Sequence, residues 1–155
     1  MIKILFVCHG NICRSTMAEF IFKDMVEKAG IAGRFHIESA ATSREELGSD
    51  TDPRTKKKLK EHGIPFTKRH ARQITKDDYE AFDYIIGMDE ANVRNILRIT
   101  GGDPEGKVSK LLDFAGKDDS IADPWYTGNF DETYDDVIKG CSCLLEYFTG
   151  KREGE

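Results

Sequence analysis

The chain alternates short apolar runs with longer segments whose apolar residues recur at helical spacing. Ile2 to Cys8 is β-branched and apolar, the pattern of a buried strand. From Ser15 to Ala29, Met17, Phe20, Ile21 and Met25 make one stripe and Ala18, Phe22 and Val26 a second. They predict a helix buried over much of its surface and stopped by Gly30 and Gly33. Phe35 to Ala41 is a second strand, and Thr42 to Asp52 a polar loop. Pro53 fits the first turn of another helix, which runs to about Glu61 and ends at His62-Gly63. A third strand covers Phe82 to Met88, and a helix with Val93, Ile96 and Leu97 covers Ala91 to Ile99. Val108 to Phe114 is the fourth strand. A turn-rich loop, Lys117 to Asn129, leads into the last helix, Asp131 to Phe148, striped by Val137, Cys141, Leu144, Leu145 and Phe148.

Strands alternating with helices predict an α/β sandwich on a parallel sheet. In such sheets ligands lie beyond the carboxyl ends of the strands, and Cys8 ends the first one. A length of 155 residues fits one domain, read as residues 1–150, with a charged tail over 151–155. The net charge of −5 argues against nucleic acid and membrane surfaces, so any phosphate site must make its positive potential locally. No apolar stretch nears the roughly 20 residues that span a bilayer, and the N-terminus lacks signal-peptide form. Four cysteines are no disulfide framework, which predicts reduced thiols and a cytoplasmic protein.

The segment Cys8-His9-Gly10-Asn11-Ile12-Cys13-Arg14-Ser15 carries the chemistry. Five residues separate Cys8 from Arg14, between a buried strand and a helix N-terminus. Such a loop can converge its backbone N–H groups on one point, with Gly10 supplying freedom and Asn11 tolerating positive φ. The helix adds unpaired N–H groups and its positive dipole end, and Arg14 a fork matched to two phosphate oxygens. Helix N-termini and arginines favour thiolates, so Cys8 reads as a nucleophile that forms a phosphocysteine. Arg14 and the loop amides would stabilise the equatorial oxygens, while Ser15 hydrogen-bonds the sulfur. The bland alternative is a strand-end thiol beside an unrelated arginine; strand before, Gly-Asn within and helix after argue against it.

With Val7 in front and Met17-Ala18-Glu19 behind, this stretch resembles the low-molecular-weight protein tyrosine phosphatases. The likeness continues in Ser39-Ala40-Ala41-Thr42, Asp52-Pro53-Arg54, His62-Gly63-Ile64, Ala71-Arg72-Gln73-Ile74, Met88-Asp89-Glu90 and Asp123-Pro124. It implies a three-layer sandwich with a four-stranded parallel sheet, of flavodoxin-like, phosphatase I topology, and neither metal nor organic cofactor. The implied partners are a phosphotyrosyl protein or aryl phosphate substrate and phosphate-like oxyanions, with weak self-association allowed. His9, Gly10, Asn11, Ile12, Cys13, Arg14 and Ser15 would cradle the phosphate, and Asn11, Ser15 and Ser39 would hold the cradle in shape.

Expelling a phenolate-like leaving group needs a proton donor. The resemblance places it at Asp123; from the residues alone a turn aspartate is as good a reading. Trp125 and Tyr126, directly after Pro124, suit a substrate ring at the rim, with packing against the last helix as the alternative, and Leu47 can supply an apolar rim contact. Cys13 would form a reversible disulfide with Cys8 that protects it from over-oxidation, or simply anchor the loop as a small buried residue. Cys141 and Cys143 read as packing, since their spacing with Cys8 and Cys13 suits zinc poorly. His62 suits a helix end.

The chain departs from the family pattern in three places. Glu45 stands where an aromatic is frequent, which makes one crevice wall acidic and favours basic peptides. Arg69 stands where a histidine is usual, with His70 one residue late and no clear supporting role. Trp125 replaces a frequent tyrosine. Arginine phosphatases on this scaffold carry threonine where this chain has Ile12, arsenate reductases need further redox cysteines, and a non-catalytic phosphoprotein-binding module would not need nucleophile, arginine and acid together. Tyrosine phosphatase is the preferred reading, with arginine phosphatase or arsenate reductase on the same scaffold as the alternatives.

Overall fold

Strand β1 (Ile2–Cys8) runs through the interior of the sheet, paired in parallel with β2 (Phe35–Ala41) on one side and β3 (Tyr84–Gly87) on the other. Strand β4 (Val108–Lys110) pairs in parallel with β3, so the order is β2-β1-β3-β4. This is a computed structural model, and it describes residues 1–150; the predicted charged tail, 151–155, lies outside the described residues. The helices are α1 (Arg14–Lys28), α2 (Pro53–Glu61), α3 (Asp78–Ala81), α4 (Glu90–Thr100), α5 (Pro124–Thr127) and α6 (Phe130–Thr149).

Period-two alternation along β1 divides the core between the two faces of the sheet. Ile4, Phe6 and Cys8 pack with residues of α1, α2 and α6, while Leu5 and Val7 pack with Ile74, Tyr79, Phe82 and Ile96. Each fully buried apolar side chain of this strand contributes about 1.5–3 kcal/mol. Helix α1 is buried without interruption from Arg14 to Phe22, matching its two predicted stripes. Its start is pinned where the site needs it, one residue before the predicted Ser15.

The fourth strand is shorter than predicted. It stops at Lys110, and Leu111–Ala115 turns into a 3₁₀ helix. Asp113 accepts the Lys110 N–H at 2.9 Å, which folds the chain back, and Leu111 and Leu112 are buried outside the sheet. A short apolar run cannot by itself distinguish these two fates. Leu111 sits against α6 at Gly140, where a Cβ would lie 2.4 Å from the leucine Cγ.

The sheet order reverses direction at β1. From there the chain moves to β2 on one side and then to β3 on the other, which opens a crevice beyond the carboxyl ends of β1 and β3.

Candidate active site

Cys8 ends β1 and Asp89 follows β3, so the crevice at the switch point is flanked by the Cys8–Ser15 loop and the start of α4. The loop carbonyls point outward into partners: Cys8 to the Thr42 N–H at 2.9 Å, His9 to Ser43 at 3.0 Å and Ile12 to Asp52 at 2.9 Å. Among the described residues no backbone N–H from His9 to Cys13 donates to a protein group. Carbonyls turned out and amides left over are the arrangement of an anion nest at a helix N-terminus. Asn11 makes the turn, with φ 59°, the sole non-glycine residue at positive φ among those described. Gly10 keeps an ordinary φ; its missing side chain instead leaves the stem of Glu46 close by, 3.5 Å from where a Cβ would be.

Arg14 is 2% exposed. Its Nη1 donates to Asp89 Oδ2 at 2.7 Å and to the Ile121 carbonyl at 2.9 Å, and its Nη2 faces Asp123 Oδ2 at 3.4 Å. Burial opposes its charge, but Cys8, Asp89 and Asp123 around it hold the guanidinium above its ordinary pKa. Asp89 caps α4 through the Asn92 N–H at 2.7 Å, and Asp123 caps α5 through the Trp125 N–H at 3.0 Å, with Pro124 at the first helical position. Each carboxylate therefore has one oxygen fixed by a helix start and the other turned to Arg14.

Beneath the loop lies a hydrogen-bond chain. The Asn11 amide donates to Ser15 Oγ at 2.8 Å and to Ser39 Oγ at 2.9 Å. Ser39 in turn donates to Glu19 at 2.5 Å. Asn11 Oδ1 accepts from the Arg69 guanidinium and from the Arg72 N–H at 3.3 Å. The amide orientation is thus determined from both ends. Ser15 Oγ also accepts from the Cys8 thiol, 3.1 Å away, and its own proton, not used by Asn11, is free to turn to the sulfur once that is a thiolate.

Residues 3–153 match the profile of the low molecular weight phosphotyrosine protein phosphatases. The chain belongs to this family. The protein is 40% identical over 147 residues to the low molecular weight protein-tyrosine-phosphatase YfkJ of Bacillus subtilis, covering 94% of each chain. The crystal structure of YfkJ superposes with a TM-score of 0.92 at 38% identity, covering 97% of this chain and 96% of that one. The structure of a Drosophila arginine phosphatase gives 0.87 at 30% identity, with 96% and 98% covered. The four-stranded parallel α/β architecture implied by the family resemblance is the one observed.

Cys8, His9, Gly10, Ile12, Cys13, Arg14, Asp123, Trp125 and Tyr126 line one cleft, together with Glu45 and Glu46. Asn11, Ser15 and Ser39 stand behind it, in the chain just described. Leu47 is not among the lining residues: the turn before Gly48, at φ 83°, presents Glu45 and Glu46 to the cleft and leaves Leu47 exposed. His62 closes α2 and stacks on Tyr134, with ring centroids 3.9 Å apart. His70 meets the Gly48 carbonyl at 3.1 Å and takes no part in the chain beneath the loop. Asp89, Glu19 and Arg69 complete the site beyond the residues expected of it. The first two sit inside the family motifs, and Arg69 occupies the position where the family usually has a histidine.

Cys13 lines the cleft and lies beside Asp52 and Thr55 at the start of α2. Burial and then the Asp52 carboxylate push its thiol up to about 12. Cys141 is fully buried against α1 and its thiol is likewise pushed up by burial, in keeping with packing. Among the described residues no group of three or more His, Cys, Asp or Glu is arranged to hold a metal, and no helix is long and apolar enough to cross a membrane.

Proposed function

We propose that the protein hydrolyses phosphotyrosine monoesters in two steps through a phosphocysteine on Cys8. The observation that carries this is the convergence of Cys8 Sγ, the unpaired loop amides, the buried Arg14 and Asp123 on one cleft. The phosphate dianion enters the nest, with the Arg14 fork on two of its oxygens. Cys8 sulfur attacks phosphorus, forming the S–P bond as the P–O bond to the phenol breaks. Asp123 gives its proton to the departing oxygen. It then takes a proton from the water that attacks phosphorus, the S–P bond breaks, and phosphate leaves. Ser15, its hydroxyl oriented by Asn11, donates to the sulfur as negative charge returns to it. Trp125 and Tyr126 offer apolar faces to a substrate ring.

Residues 1–150 are taken as one phosphatase unit acting on phosphotyrosyl proteins in the cytoplasm. Cys13 is the proposed redox partner of Cys8, so inactivation by peroxide should reverse with thiol. Ile12, an apolar side chain in the cleft wall, offers no polar contact to a guanidinium phosphate and favours an aryl ester. The test is phosphate release from phosphotyrosine and phosphoarginine in parallel. Fast release from phosphotyrosine supports the proposal; a preference for phosphoarginine overturns its substrate half.

A further inference from the structure

The mouth of the cleft is electrostatically opposed to its floor. Among the described residues that line it, Glu45, Glu46 and Asp123 are carboxylates, and the sole arginine or lysine is Arg14. That guanidinium is buried and already faces Asp89 and Asp123. Glu45 keeps 70% of its side chain exposed while pairing with His9 Nε2 at 2.8 Å. Glu46 is held over Gly10, with Ser49 Oγ donating to its Oε2 at 3.1 Å. Arg54, the cation beside the rim aromatics, is committed elsewhere: it makes two contacts with Asp52, at 3.1 and 2.9 Å, and lies over Trp125.

A phosphate dianion approaching this mouth must pass two glutamates in a chain of net charge −5. The rim carboxylates do nothing for the reacting phosphate, which the floor binds, so they act on whatever flanks it. We propose that Glu45 and Glu46 form a recognition site for cationic side chains next to the phosphotyrosine, making the preferred substrate a phosphotyrosyl segment rich in arginine or lysine. Glu45 exchanges His9 for the substrate cation, while Glu46, fixed by Ser49, contributes charge from a set position. Asp123 is excluded from this role because its free oxygen faces Arg14. The inference rests on the phosphotyrosine reading above and deepens it.

Rim pairs this exposed are each worth a factor of about two to five, so two glutamates that also repel an acidic flank give roughly ten-fold discrimination. The test compares kcat/KM for two phosphotyrosyl peptides of equal length, one flanked by arginines and one by glutamates, in wild type and in Glu45→Gln. The ratio of the two is internal to each variant, so any general loss of activity cancels. The wild-type ratio should favour the arginine peptide by about ten-fold, fall by about three-fold or more in Glu45→Gln, and shrink as salt is added. A wild-type ratio near one, or one unmoved by Glu45→Gln, overturns the proposal while phosphotyrosine turnover still stands. If neither peptide nor free phosphotyrosine is hydrolysed, the underlying phosphatase reading fails as well.

Discussion

The guanidinium of Arg69 donates to Oδ1 of Asn11, and this contact fixes which way the Asn11 amide faces. With the oxygen held there and by the Arg72 N–H, both amide protons go to Ser15 and Ser39. Arg69 is itself partly buried, and burial lowers its pKa from the ordinary value. Its Nη1 is buried with no partner, so Asn11 is its main recompense. Arg69→Met should let the amide turn and lose the Ser15 orientation. A hydrogen bond to a charged group is worth about 1.5–3 kcal/mol, so kcat should fall about ten- to hundred-fold with KM less affected. Arg69→Lys should recover part of the loss. Steady-state kinetics on an aryl phosphate checks both variants.

Asp123→Asn separates the proton donor from the helix cap. Asparagine caps as well as aspartate, so α5 should persist. For a poor leaving group such as phenyl phosphate, kcat/KM should drop about 10²- to 10⁴-fold, and for a nitrophenyl ester with a stable phenolate far less. An equal drop for all leaving groups would show that this carboxylate is not the acid.

Cys13 makes stability depend on alkaline pH. Its folded-state thiol is pushed up from 9.0 to about 12, so the folded protein holds this proton more tightly than the unfolded chain does. The contribution is therefore fully present below about pH 9 and is lost as the pH rises through about 12, amounting to at most about 4 kcal/mol. Urea unfolding of wild type and Cys13→Ala across that window should show the wild type losing more stability. Parallel curves would remove Cys13 as the source.

Gly140 lets α6 approach the 3₁₀ helix closely enough that Leu111 Cγ occupies the space of a missing methyl group, 2.4 Å from a Cβ. Gly140→Ala should destabilise by about 1–3 kcal/mol through overpacking, despite alanine's better helix propensity. Adding Leu111→Ala should not compound the losses, because the second change relieves the first. Thermal melts of the single and double variants read the coupling.

Much of this molecule was legible in its residues. The apolar run of β1, the stripes of α1 and α6 and the Cys8–Arg14 spacing each follow from a local period, and local periods survive folding. Three features did not follow. The end of β4 depended on Asp113 capping a turn, against a continuous apolar run. The partners Asp89 and Glu19 act across 75 and 20 positions from Arg14 and Ser39, distances no window of sequence spans. At the rim, apolarity points to Leu47, but the turn closed by Gly48 decides which side chains face the cleft, and it selects the two glutamates.

The most direct test of the mechanism is rapid quenching of the protein with an aryl phosphate, followed by peptide mapping. The predicted result is a phosphoryl group on the Cys8 sulfur that accumulates within the first turnover, is slower to decay in Asp123→Asn and is absent in Cys8→Ser. Turnover without any phosphorylated Cys8, or turnover that survives Cys8→Ser, would contradict the mechanism.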